Sequence, residues 1–177
     1  MDCRMDVEKL PHLARVAFAA RCARRVQKLL GQFSAEISEE FLETVDHAIL
    51  LAEVSSTDGR PRAGLGAAVE EAERRARGAL GAGQIRSSGN GSALVALSAP
   101  VRRAVAYAAA AAACAAMETS ARAASKAVAY AEEAVHAANA APVRAAMAGD
   151  FERLREAVRR EGWQDEKPVS PEFFGPL

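Results

Sequence analysis

The sequence has few large side chains. Aromatic residues make up 5% of its 177 positions, with one tryptophan and two tyrosines, although half of the chain is apolar. A core built from it must rely on alanine, leucine and valine. An excess of either charge is lacking too: 23 basic side chains face 23 acidic ones, so no overall field draws the chain to nucleic acid or an acidic surface. Cysteine is scarce. Cys3, Cys22 and Cys114 are odd in number, far apart and without CxxC spacing, which argues against a disulfide framework or zinc site and fits a reducing compartment. The opening MDCRMDVEKLPH carries charges where an export signal needs an apolar run, so a cytoplasmic protein is expected. A membrane-crossing run is also missing. The alanine-rich stretch is free of charge over only 14 residues, Ala104 to Met117, short of the roughly 20 a bilayer requires.

What is present reads as helix throughout, and no segment alternates with the period of a strand. Pro11 suits a first helical turn. After it Leu13, Val16, Ala17, Ala20 and Ala23 share one side, and Gly31 offers a stop. Ser38 is placed to cap a second helix, with Phe41, Val45, Ala48, Ile49 and Ala52 as its buried stripe. STDGRPR reads as a turn with Pro61 at the start of a third helix. Gly64 and Gly66 there would each cost about 1 kcal/mol relative to alanine, which points to close backbone approach or to a later start. QIRSSGNGS is a loop without the P-loop pattern.

Pro100 is expected to open the alanine-rich segment. A single helix from Val101 to Ala140 would reach about 60 Å at 1.5 Å per residue, too long for a domain of this size. A break at METS, capped by Thr119 or Ser120, gives two helices near 101–117 and 120–139. Pro142 and Gly149 would bound a short helix, with Asp150 capping a last one through FERLREAVRREGW. The expectation is an all-α, single-domain bundle of six to seven helices over residues 1–163, built around an alanine-rich helical hairpin. Residues 164–177 form an extended tail containing proline and phenylalanine. It reads either as a strap on the bundle or as a free recognition peptide; exposed Phe173 and Phe174 would lower solubility, which favours the strap.

Chemistry-bearing patterns are sparse. Glu133 and His136 make an ExxH, and Glu43/His47 and Glu132/His136 lie one turn apart. A carboxylate-bridged di-metal bundle needs a second ExxH and two further inward glutamates; there is no second ExxH, and Glu118, Arg122, Glu132, Glu133 and His136 share a polar side that reads as solvated surface. No metal, cofactor or catalytic set is therefore assigned. Cys22 and Cys114, in alanine-rich helices, read as buried small residues. Arg21, Arg24, Arg25 and Lys28 recur at i, i+3, i+4 and i+7. This row could contact a partner or form a solvated face; with the loop at 85–92 it is the candidate partner-binding surface. Asp58, Arg60 and Arg62 in DGRPR set a turn or clamp an anion.

DGRPRAGLGAAVEEAERRARG resembles the D-x-RPR-x-(A/G)-(I/L)-x-A-A…A-R-G segment of the immunity-protein-like all-α domains of bacterial polymorphic toxin systems. Asp58, Arg60, Pro61, Arg62, Ala67, Ala68, Ala76, Arg77 and Gly78 carry the likeness. With the first helix and the alanine-rich pair, it spans about residues 10–140. Arg74 and Arg75 stand where the family has an aromatic, and the loop at 84–99 differs from its short connection. The resemblance implies a helical, non-enzymatic protein that binds and neutralises a toxin. The alternatives are an adaptor or self-associating module of a bacterial defence or signalling assembly, and a helical metal-binding enzyme using Glu133 and His136.

Overall fold

The computed structural model describes residues 7–84 and 92–177, and it is helical as expected. The helices are α1 (His12–Gln27), α2 (Glu39–Asp58), α3 (Leu65–Gln84), α4 (Ser92–Met117), α5 (Ala121–Ala137) and α6 (Ala141–Glu161). Two 3-10 helices, Lys28–Glu36 and Pro171–Phe174, complete the set, and there is no strand among the described residues.

Alanine decides the arrangement. From Val101 to Ala116 the α4 side chains are buried except for Arg102, Arg103, Tyr107 and Cys114, which are partly exposed, so burial covers most of the helix rather than one narrow stripe. A helix apolar on most of its circumference belongs in the interior, and α4 is touched by α1, α2, α3, α5 and the first 3-10 helix. Its small side chains let neighbouring axes approach toward the short end of the usual 8–10 Å. The expected hairpin, α4 with α5, is present, and α4 is its inner member. The turn between them falls at METS; Ser120 is the N-cap residue, although its side chain makes no capping bond. Arg15 fastens this turn by donating to the Thr119 carbonyl at 2.7 Å. Larger side chains fill the outer seams, as where the Phe18 and Phe151 rings meet at 5.3 Å between α1 and α6.

Helix ends differ from the sequence reading in four places. Gly31 does not stop the path of α1, which tightens into the 3-10 helix. Pro61 lies outside α3. Gly64 adopts φ +91, a left-handed conformation that suits glycine and not a helix, so α3 begins at Leu65. Pro100 lies inside α4 instead of opening it, so the helix starts at Ser92 and forgoes one N–H bond at the proline. Asp150 is no cap, since α6 runs unbroken through Gly149 from Ala141 to Glu161. Ser38, by contrast, caps α2 as expected, accepting from the Phe41 N–H at 3.3 Å.

The tail is a docked strap. Asp165 supplies what Pro11 cannot at the start of α1: its carboxylate accepts from His12 N–H at 2.7 Å, and its carbonyl from Leu13 N–H at 3.3 Å. Val169 N–H then donates to the Ser56 carbonyl at 3.0 Å. Phe174 is buried, and Trp163 packs edge-on against Phe173 at 5.5 Å.

Candidate functional site

The row Arg21, Arg24, Arg25 and Lys28 is not the open surface its spacing suggests. Helix α1 is buried on most sides, and the row faces α2 and α6, each of which brings carboxylates to it. Arg24 takes Glu53 with two bonds, at 3.0 and 2.7 Å, and also pairs with Asp46. Arg25 grips Asp150 with two bonds, at 2.6 and 3.0 Å. Arg21, only 6% exposed, donates its Nε to the same carboxylate at 2.9 Å. Its Nη2 turns to the tail, donating to the carbonyls of Phe174, Gly175 and Pro176 at 3.4, 2.9 and 2.9 Å. Three of the four cations are thus held within the fold, and Lys28 alone of the four is exposed.

Burial by itself would push the Asp46 carboxyl up. Hydrogen bonds from Gln27 and Arg24 outweigh it and hold the group below its ordinary range. The acids that face this row, Asp46, Glu53 and Asp150, were not among the residues its spacing picked out.

Asp58, Arg60 and Arg62 do not assemble an anion clamp. Asp58 ends α2 and pairs with Arg62, leaving that guanidinium engaged, while the Arg62 backbone N–H donates to Ser55 Oγ at 3.1 Å. Arg60 projects to solvent. The turn reading fits, with the carboxylate on a side-chain cation and not on helix N–H groups. The loop at 85–92 lies outside the described residues except for Ser92, which begins α4.

Glu133 pairs with Arg103 at 2.7 Å and His136 is exposed. No group of three or more His, Cys, Asp or Glu side chains placed to hold a metal ion occurs among the described residues. Cys22 is buried. Cys114 donates to Glu118 at 3.2 Å; burial, then that carboxylate, push its thiol up to about 11. A group so shifted is a poor nucleophile at neutral pH.

Two of the surface hollows among the described residues combine apolar and charged linings. One, about 290 Å³, lies over the hairpin, where Tyr107 and Tyr130 stack at 5.0 Å beside Cys114, Glu118 and Lys126. The other, about 520 Å³ and open to solvent, lies between the first 3-10 helix and α2. Leu30, Gly31 and Leu42 line it together with the polar side chains of Lys28, Glu43 and Asp46. No helix among the described residues is long and apolar enough to cross a membrane. Comparison with protein-family models, curated proteins and solved structures finds no match to this chain.

Proposed function

We propose that this protein acts by binding another protein, and that its concrete role is to neutralise a cognate bacterial toxin as an immunity protein. The supporting observation is the open groove beside α2. It joins an apolar lining, Leu30 and Leu42, to a charged rim formed by Lys28, Glu43 and Asp46, the arrangement of a dry interface centre within a polar margin. Leu50, 46% exposed, lies two turns beyond Glu43 on the same helix. Exposed Glu39 and Glu43 make this end of α2 acidic, so the partner surface that fits it carries cations around an apolar side chain. The DGRPR resemblance supports the toxin-directed form of the reading.

Calorimetry of the purified chain against proteins encoded beside its gene tests this. Binding to one of them is expected, weakened at least about tenfold by Leu50→Arg or Glu43→Lys, in the range of interface residues that matter. No binding to any neighbour's product discards the reading. Binding that ignores both substitutions moves the interface elsewhere.

A further inference from the structure

The groove that holds the tail has the construction of a peptide-binding site. Its walls belong to helices and not to the tail: Arg21 to α1, Ser56 to α2, Arg153 to α6. Arg21 is held in place from behind, because Asp150 receives it and is itself gripped by Arg25. One carboxylate between two guanidiniums leaves Arg21 Nη2 directed at whatever lies in the groove. Arg153 adds a second donor to the Phe174 carbonyl. The Phe174 ring is buried and lines a small hollow together with Ala17, Glu53 and Ser56, with the Arg21 guanidinium 5.5 Å from its centre. Upstream, Ser56 engages Val169 twice: it accepts the Val169 N–H at 3.0 Å and donates Oγ to the Val169 carbonyl at 3.1 Å.

On the tail's side the recognised groups are main-chain carbonyls, one buried ring and one special backbone conformation. Gly175 has φ +73 and ψ −168, a region essentially closed to residues with a Cβ. Recognition through main chain and an aromatic anchor is how grooves take extended peptides, and none of it requires the peptide to belong to the same chain. We infer that this groove is a recognition site for an extended segment of the pattern aromatic–aromatic–glycine–proline. Its occupant in trans is such a segment on a partner protein, with residues 169–176 as the competitor in cis. The surface is separate from the groove beside α2, and the inference stands without the toxin-directed reading.

Gly175→Ala in the full chain tests it, because that change strains the docked tail and leaves the helical walls untouched. A fluorescent peptide of the sequence VSPEFFGPL retains its glycine and serves as the probe in anisotropy titrations. The expected result is binding to the Gly175→Ala chain at least about tenfold tighter than to wild type, the scale of such backbone strain. The same peptide carrying the glycine-to-alanine change should not bind either chain. Equal affinity for the two chains overturns the inference, and so does no binding to a Gly175→Ala chain whose circular dichroism and melting show it folded. If that chain does not fold, full-length Phe174→Ala is tested under the same criteria. Wild-type dimers that dissociate on adding the peptide would assign the groove to the tail of a second copy and overturn its assignment to a partner.

Discussion

Arg21 Nε donates to Asp150 Oδ2 at 2.9 Å across 129 positions of sequence, with the two side chains only 6% and 3% exposed. Arg25 reaches the same oxygen, so two cations share one anion. Asp150→Asn removes that anion and leaves both guanidiniums facing each other in a desolvated place. A loss of about 3 kcal/mol or more in unfolding free energy is expected, since uncovering a buried charge is costly. Arg25→Met, which leaves one cation for one anion but takes the donor from Asp150 Oδ1, should cost less, about 1–3 kcal/mol, the range for a buried acceptor left unpaired. Urea denaturation of the two variants checks the contrast.

The centre of the bundle is closed to enlargement. Ala112 is fully buried within α4, and Ala112→Leu is expected to destabilise by about 1–3 kcal/mol or more through overpacking. Ala145, exposed on α6, takes the same change within about 0.5 kcal/mol. Thermal melts of the pair separate overpacking from any general effect of leucine in a helix.

Asp165 caps a helix to which it does not belong. Asp165→Ala should cost about 1 kcal/mol, the usual value of an N-cap, while Asp165→Asn, which keeps a capping oxygen, should lose less. Faster hydrogen exchange at the His12 and Leu13 amides in the alanine variant is the local sign of the lost cap.

His12 gives the fold a pH dependence. Burial, then the nearby Arg15 guanidinium, lower its pKa, and the Asp165 carboxylate only partly offsets them. Between that lowered value and about 6.5, the unfolded chain carries a proton that the folded chain does not. Stability from this group therefore rises with pH through that window and is lost as pH falls through it. His12→Gln should flatten the dependence in urea melts at a series of pH values. Asp165→Asn should lower the His12 pKa further, as an NMR titration of the ring would read.

The helices were legible because period and caps agree. Ser38, the stripe Phe41, Val45, Ala48, Ile49 and Ala52, and the break at METS each carry a local signal, and each is where the sequence places it. The arginine row shows where local reading ends. A basic stripe is the same pattern whether water or carboxylates face it, and Asp46, Glu53 and Asp150 arrive from other helices. One clue was available. Asp150 shares helical spacing with Met147, Phe151, Leu154 and Ala157, a carboxylate in the middle of an apolar face. Such a residue implies a cation opposite it. Gly149 signals a helix boundary in the sequence and so hides the stripe that runs through it. The tail's docking followed from Phe173 and Phe174, but the groups it presents to Arg21, Arg153 and Ser56 are main-chain carbonyls and amides, which leave no mark on composition.

Alanine around most of α4 also limits how this protein can change over generations. A leucine core can drift, because one methylene removed here may be restored there. Alanine has no such slack: every replacement but glycine adds atoms, and glycine loosens the helix. The innermost helix therefore has almost no neutral neighbours in sequence space. Divergence among descendants of this chain should gather on α2, α3 and α6, whose outer faces meet water, while the plainest-looking stretch of the sequence stays the most constrained.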